Sequence, residues 1–256
     1  MSELRTPLVC LHGLTGSPRN WDSIRQSVEE YHRVVTPTIP GHRDGPDFVA
    51  REGVSAVNVL ADGIEQQLDS AGVGDAHLVG NSLGGWLALE LAARGRARSV
   101  VCLSFAFGWS KGAHVEAVFR GFEVGRRVYR AVGPVGAAVT RSRTARKMLF
   151  GKVIHRTDQL DSVSAVGIID DNLACRAFHP LIAAFRTEPL PELGPIDVPV
   201  TLAWGTEDVL IPESAFGTRF AELVPKAERR SIAGVGHVPM YDDPDAVCAE
   251  ILRVTA

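Results

Sequence analysis

Short apolar runs alternate along the chain with longer segments in which apolar residues recur every three or four positions. The short runs end at glycine or polar residues, which is typical of buried strands. We predict strands over 7–12, 33–39, 76–80, 99–104, 198–204 and 227–233. The longer segments predict helices over 17–30, 55–71, 83–94, 212–224 and 244–254.

Strands that alternate with helices are typical of a parallel sheet covered on both faces. We therefore predict an α/β fold with a mostly parallel sheet of about six strands and helices on both faces. Between residues 107 and 190 the alternation stops, and helix-like segments occur without convincing strands. This pattern predicts a core domain formed by residues 1–106 and 191–256, with a helical lid (cap) over 107–190 inserted between two strands.

Composition is that of one large globular domain, with 256 residues, 45% hydrophobic and 22% charged. No run approaches the ~18 apolar residues that span a bilayer, and the first residues lack the pattern of a secretory signal. The four cysteines are scattered without a CxxC pair, and the net charge of −3 is too small to indicate a nucleic-acid partner. We expect a reduced, cytoplasmic protein without a stable membrane anchor, whose oligomeric state the sequence leaves open.

The strongest local signal for chemistry runs from Gly80 to Gly85, with the sequence Gly-Asn-Ser-Leu-Gly-Gly. It follows a predicted strand and opens a predicted helix, which is the context of a G-x-S-x-G nucleophile turn. Flanking glycines leave room where a Cβ would clash with neighbouring backbone. The turn would lift the hydroxyl of Ser82 above the sheet edge, so Ser82 is the candidate nucleophile.

A serine hydroxyl needs a base, and the base needs a group that orients it. His237 lies in a glycine-rich loop directly after the last predicted strand, and Asp208 lies in the loop after the preceding strand. The chain order Ser82, Asp208, His237 is the order expected for this architecture. Glu207 is the rival for the acid, and we favour Asp208, which is three residues past Gly205.

A tetrahedral intermediate needs two amide donors for its oxyanion. We predict the backbone amide of Leu83, at a helix N-terminus that favours an anion, and that of Leu14 in the loop after the first strand. His12 and His42 are interpreted as structural, with His12 holding its loop by hydrogen bonds. No metal-ligand spacing, phosphate loop or dinucleotide fingerprint occurs, so we expect neither a metal nor a cofactor.

In its motifs and their order the chain resembles the α/β-hydrolase fold family over nearly its whole length. The matching motifs are His12-Gly13, Pro40-Gly41-His42, Gly80 to Gly85, Gly205 to Asp208 with Pro212, and Gly236-His237 with Pro239. The resemblance implies acyl transfer to water through a covalent acyl-serine. Ser82 would attack, His237 would take and return the proton, and Asp208 would orient His237.

Two departures from that family bear on the fold and the reaction. We expect no counterpart of the initial antiparallel hairpin of larger members, and relatives that open epoxides or displace halide use aspartate where this chain has Ser82. The motif is also similar to that of hydrolases of carbon–carbon bonds, although those carry tryptophan where this chain has Val238. We therefore expect a serine hydrolase that cleaves a carboxylic ester of a small or medium acyl substrate. A thioesterase, lactonase or carbon–carbon hydrolase with the same triad stays open, as does a small-molecule receptor on this scaffold.

The predicted lid is strongly basic. Residues 111–156 carry eleven Lys and Arg against two acids, Glu116 and Glu123, although the whole chain is acidic. A helical wheel over 115–132 puts Val118, Phe119, Phe122, Val128 and Tyr129 on one face and Arg120, Arg126, Arg127 and Arg130 on the other. Three interpretations stay open: a solvated basic face, recruitment of anionic substrates, and attachment to an anionic membrane surface.

Overall fold

One six-stranded sheet forms the centre of the protein. The computed structural model describes residues 5–106, 112–189 and 192–255, without the side chains of residues 217–221. The strands are β1 (Pro7–Leu11), β2 (Arg33–Val35), β3 (Ala76–Asn81), β4 (Ala97–Leu103), β5 (Val200–Gly205) and β6 (Glu228–Ile232). Their order is β2-β1-β3-β4-β5-β6, and every neighbouring pair is parallel. The predicted fold class is thereby confirmed.

The helices of the core follow the sequence pattern closely. They are α1 (Asp22–Glu29), α2 (Ala56–Ser70), α3 (Leu83–Ala93), α9 (Glu213–Leu223) and α10 (Pro244–Thr255). The first predicted helix begins as a 3-10 turn at Pro18–Trp21, capped by the Ser17 side chain. Strand β2 ends at Val35, short of the predicted residue 39. Pro37 explains this difference, since proline has no amide hydrogen for a sheet ladder.

The two faces of the sheet carry separate hydrophobic clusters. Alternate strand residues such as Val9 and Leu11 point to the side of α2 and α3, while Leu8 and Cys10 point to the side of α1 and α10. Helix α3 is buried along almost its whole length, from Leu83 to Ala92. The turn that precedes α3 is therefore held between β3, β4 and the rest of the core, and cannot shift independently.

Between β4 and β5 the chain forms a helical insertion. Its helices are α4 (Ala113–Val132), α5 (Gly136–Val139), α6 (Arg143–Phe150), α7 (Ser162–Ala174) and α8 (Phe178–Thr187), and residues 112–189 contain no strand. Tyr129, Phe150, Ile154, Leu160, Ala165 and Ile169 form a hydrophobic cluster of their own. The expected limits of the lid, residues 107 and 190, lie outside the described residues. Within the described chain, no helix combines the length and the apolar character that crossing a bilayer requires.

Candidate active site

Ser82 occupies a strained turn between β3 and α3. Its φ of 56° lies in the left-handed region, which residues other than glycine rarely adopt. A Cβ on Gly84 would lie 2.1 Å from the Leu11 carbonyl oxygen, and a Cβ on Gly80 would lie 2.1 Å from the Gly84 carbonyl oxygen. The glycines are therefore required by close backbone contact, for the reason expected from the motif. Strain of this kind is found where the surrounding structure fixes a functional side chain.

His237 and Asp208 form a buried hydrogen-bonded pair. The Nδ1–H of His237 donates to Oδ2 of Asp208 at 2.8 Å, and Oδ1 of Asp208 accepts the amides of Leu210 and Ile211, both at 2.9 Å. Both carboxylate oxygens are thus engaged, which fixes the orientation of the imidazole. Glu207, the rival acid, is exposed and accepts from the Thr206 hydroxyl at 3.4 Å instead. Nε2 of His237 has no hydrogen-bond partner among the described residues.

Ser82 and His237 lie on the floor of the same cavity, whose volume is about 290 Å³. They make no direct hydrogen bond in this state, a common property of such pairs before substrate binds. Asn81 connects their two segments, because its Nδ2 donates to the carbonyls of Leu103 at 3.1 Å and His237 at 2.8 Å. This role of Asn81 was not predicted, and the only signal for it in the sequence is its place directly before Ser82.

Asp242 forms a second connection that was not predicted from the sequence. This buried carboxylate accepts the amides of Gly236 at 2.7 Å, His155 at 3.1 Å and Arg156 at 2.5 Å. It therefore ties the residue before His237 to the insertion. The only signal in the sequence was an acid five positions past His237 in the loop that carries the base.

The two predicted oxyanion donors, Leu83 and Leu14, come from the segment directly after Ser82 and from the loop after β1. Leu83 is the first residue of α3, where the amide has no intrahelical acceptor, and Leu14 lines the cavity. Neither amide donates a hydrogen bond to another of the described residues. The loop that carries Leu14 packs directly against the nucleophile, since a Cβ on Gly13 would lie 3.2 Å from Cβ of Ser82.

His12 and His42 are fully buried and are absent from the residues that line the cavity. Nδ1–H of His12 donates to the Gly13 carbonyl at 2.9 Å, and its Nε2 accepts the Ile39 amide at 3.2 Å. Burial lowers the pKa of His12 to about 3 and that of His42 to about 4. Both imidazoles are therefore neutral, and the hydrogen bonds of His12 hold its loop as expected.

The cavity wall is mostly apolar, with a few polar groups. Its polar side chains outside the floor include Asn20, Lys152, Asp171 and Asn172. Asp171 accepts the Ser17 hydroxyl at 2.5 Å and pairs with Arg19 at 3.3 Å and with Arg43. Desolvation raises the pKa of Asp171, and its polar partners oppose that rise. These bonds tie α7 of the insertion to the segments that follow β1 and β2.

Part of the basic charge of the insertion has a structural use. Arg126 is only 9% exposed and donates to the carbonyls of Leu173 at 3.2 Å and Cys175 at 3.1 Å, where α7 ends. The wheel prediction was wrong for Arg126, which is buried, and for Val128, which is 40% exposed. The reason is tertiary: unpaired carbonyls at the end of α7 bind the guanidinium.

A strained serine at the end of a parallel strand, sharing a cavity floor with a histidine–aspartate pair, is the arrangement found in hydrolases of the α/β class. The chain belongs to the alpha/beta hydrolase family, whose family model matches residues 8–250. It is thus an enzyme of hydrolase type.

Individual relatives within the family differ in their named activities. The chain is 35% identical over 192 residues to the epoxide hydrolase EphH of Mycobacterium tuberculosis, covering 74% of this chain and 90% of that protein. The esterase RhEst1 from Rhodococcus superposes with a TM-score of 0.73 at 22% identity, covering 97% of this chain and 90% of the other. A bacterial membrane phospholipase A gives a TM-score of 0.74 at 22% identity, covering 99% and 79%. The two structural similarities bear on the fold alone.

Proposed function

We propose that the protein is a serine hydrolase that cleaves carboxylic esters of small or medium acyl substrates through an acyl-serine intermediate. The observation that carries this proposal is the His237–Asp208 pair at 2.8 Å, with its free Nε2 on the same cavity floor as Ser82. A general base must have its accepting nitrogen available on the side of the nucleophile. The hydrogen bond from Nδ1–H to Asp208 places the ring proton on Nδ1, which leaves Nε2 unprotonated and able to accept the proton of Ser82.

The reaction follows from these positions. Nε2 of His237 takes the proton of Ser82 as Oγ attacks the ester carbonyl, and Asp208 stabilises the imidazolium that forms. The protonated Nε2 then gives its proton to the leaving alcohol, which leaves the acyl group on Ser82. In the second half of the reaction, water attacks the acyl group on Ser82 while His237 takes a proton from it. His237 then returns this proton to Oγ of Ser82, which releases the acid and restores the serine.

The oxyanion of each tetrahedral intermediate would be held by the amides of Leu14 and Leu83. Their lack of acceptors among the described residues supports this role. Amides fixed in advance stabilise the transition state without reorganising at the moment of reaction. The buried α3 and the packing of Gly13 against Ser82 supply that rigidity.

The named activity of the mycobacterial relative raises epoxide opening as a second candidate. The identity of the nucleophile argues against it. An alkoxide that opens an epoxide forms an ether, which has no carbonyl for water to attack, so the enzyme would remain alkylated at Ser82. A carboxylate nucleophile would form an ester instead, which water can hydrolyse. Ser82 therefore favours substrates with a carbonyl group.

The insertion serves in this proposal as a cap domain over the cavity, since α4, α6 and α7 all contribute to its wall. Lys152 is the cationic side chain that lines the cavity within the described chain, and it supports an anionic group on the substrate near the opening. Thioesters, lactones and carbon–carbon bonds remain alternatives for the same triad, to be separated by a matched substrate panel.

The test measures hydrolysis of p-nitrophenyl acetate and butyrate by the wild type and by Ser82→Ala. We expect turnover by the wild type and a loss of at least about 10³-fold in kcat/KM in the variant, because the nucleophile is gone. Ser104→Ala is the matched control. Ser104 is also buried with a positive φ (44°), but it is not among the residues that line the cavity, so its variant should keep wild-type activity.

Labelling by a sulfonyl fluoride gives a second readout, with the adduct expected on Ser82 and absent from Ser82→Ala. Styrene oxide is included in the panel to test the alternative. Ester turnover that survives in Ser82→Ala, or multiple turnovers of the epoxide without ester hydrolysis, would overturn the proposal.

A further inference from the structure

Helix α4 presents one continuous face to the cavity. Its lining residues recur three and four positions apart, which puts them on one side of a helix: Gly121, Phe122, Val124, Gly125, Val128 and Tyr129. Two of the six are glycines, although glycine is the poorest helix former after proline. Their presence in the middle of a twenty-residue helix therefore needs a reason.

Neither packing nor backbone conformation supplies that reason. A Cβ built on Gly121 or Gly125 meets no atom within 4 Å, so no neighbouring group requires that these positions lack a side chain. Neither residue has a positive φ. The space that the absent side chains leave open belongs to the cavity itself.

The exposure of the lining residues increases from the floor of the cavity to its opening. At its floor Ser82 is 5% exposed and His237 is 3% exposed, whereas Val124 is 54%, Val128 is 40% and Met148 is 78% exposed. Val124, Val128 and Met148 thus form an apolar rim at the opening. A substrate with its carbonyl at Ser82 would extend past the bare backbone of Gly121 and Gly125 towards this rim.

We propose that Gly121 and Gly125 are specificity-determining residues that keep open a channel along α4 for an unbranched hydrocarbon chain of the substrate. This inference rests on the proposed ester hydrolysis and names its substrate class. Leu149, Val153 and Ile168 add to the apolar wall, so the channel offers dispersion and desolvation to an alkyl chain. A cavity of about 290 Å³ is small for a ligand site, which favours a narrow chain over a bulky group.

The experiment compares p-nitrophenyl acetate with p-nitrophenyl octanoate in the wild type, Gly121→Ala, Gly125→Ala and Gly125→Leu. The added side chains occupy the channel, so we expect kcat/KM for octanoate to fall about 10-fold in the alanine variants and further in Gly125→Leu. Acetate does not reach α4, and its kcat/KM should stay within about 2-fold. Gly125→Ala should at the same time raise the melting temperature, because alanine favours the helix and meets no clash.

Two control variants lie on the exposed face of the same helix. Ala117→Leu adds bulk, and Ala131→Gly lowers helix propensity, at exposed positions that are not among the cavity-lining residues. Neither should change the ratio of octanoate to acetate activity. A glycine with a purely structural role predicts the reverse pattern, with Gly125→Ala less stable and its chain-length profile unchanged, and that result would overturn the inference.

A binding measurement separates this inference from the proposed function. Octan-2-one carries the alkyl chain but cannot be hydrolysed, and calorimetry follows its binding to Ser82→Ala with and without Gly125→Leu. We expect binding that Gly125→Leu weakens at least about 10-fold. If no ester is hydrolysed but this result holds, the proposed function fails and the channel stands. If acetate is hydrolysed and octan-2-one does not bind, or binds equally to both variants, the channel is refuted and the hydrolase stands.

Discussion

Glycines in the turn that carries Ser82 and glycines on the α4 wall of the cavity have opposite causes. In the turn, Cβ atoms on Gly80, Gly84 and Gly85 would lie 2.1 to 2.4 Å from neighbouring atoms. On α4, Cβ atoms on Gly121 and Gly125 would meet nothing within 4 Å. The floor is thus fixed by contact between backbone segments, and the wall is shaped by space that side chains leave free.

The difference explains how one fold combines a rigid reaction centre with an adaptable substrate site. The strained φ of Ser82 can persist because β1, β3 and α3 surround it so closely that no easier conformation is available. The wall carries no such constraint at its two glycines, so larger residues could occupy it without disturbing the fold. Changes of specificity should therefore arise on α4, and changes at the turn should damage folding.

The comparison predicts its largest effect at Gly84. In Gly84→Ala the new Cβ would lie 2.1 Å from the Leu11 carbonyl oxygen, and relief requires α3 to move away from β1. Overpacking typically costs about 1–3 kcal/mol and occasionally more, and because the contact here is with backbone on both sides we expect a loss of at least about 3 kcal/mol in the free energy of unfolding. Urea unfolding measures it. The variant should also lose ester hydrolysis, since the movement displaces the Ser82 turn.

Gly125→Ala is the matched control for that measurement, with the same substitution in a helix where the space is open. The two variants should shift the free energy of unfolding in opposite directions. If Gly84→Ala proves as stable as the wild type, contact does not fix the floor, and the comparison between the two regions fails.

The floor could be predicted from the sequence because its signals are local. The Gly80 to Gly85 motif lies between a strand and a helix that the hydrophobic pattern places correctly. Asp208 and His237 each follow a strand, and the carboxyl ends of parallel strands share one edge of the sheet. Alternation of strands and helices likewise predicted the six-stranded sheet.

The wall could not be predicted in the same way, because its contacts join segments that are distant in sequence. The helical wheel placed Arg126 on the face opposite the apolar residues, and it contains no information about the carbonyls at the end of α7 that bind the guanidinium. Asp242 was missed for a similar reason, since its partners include amides of residues 155 and 156 in the insertion. Propensity and periodicity contain no information about such tertiary partners.

Asp242 connects the two regions, and its substitution tests whether they depend on each other. In Asp242→Asn one carboxylate oxygen becomes an amide that cannot accept, so a buried N–H of Gly236, His155 or Arg156 loses its partner. We expect a loss of about 2–3 kcal/mol in the free energy of unfolding. Because Gly236 precedes His237, kcat for p-nitrophenyl acetate should fall about 10-fold, with a smaller change in KM.

Asp243→Asn is the control, since Asp243 caps the amide of Ala246, a role that asparagine also performs, and its ion pair with Arg156 at 3.0 Å is partly exposed and contributes only about 0–1 kcal/mol. It should keep kcat near the wild-type value. An Asp242→Asn variant that is destabilised but fully active would limit Asp242 to a structural role and show that the wall does not position the base.

The smallest predicted effect is a pH dependence that originates in the buried core next to the cavity floor. Burial lowers the pKa of His12 to about 3, whereas the unfolded chain binds a proton at this residue below about 6.5. Between these values the unfolded state holds one more proton than the folded state, so stability is complete above about pH 6.5 and falls as the pH falls. At pH 5 the loss from His12 is about 2 kcal/mol, at about 1.4 kcal/mol for each pH unit.

His42, with a pKa of about 4, and His32 and His77, with lowered pKa values, act in the same direction. No histidine in the described part of the insertion is buried, so the wall should not add to the loss of stability at low pH.

Urea unfolding at pH 5 and pH 7 compares the wild type with His12→Gln, which can still pair with the Ile39 amide. The decrease in stability from pH 7 to pH 5 should be about 2 kcal/mol smaller in the variant, whatever its stability at pH 7. Equal decreases would mean that His12 is protonated in the folded protein, which its bond from the Ile39 amide to Nε2 does not permit.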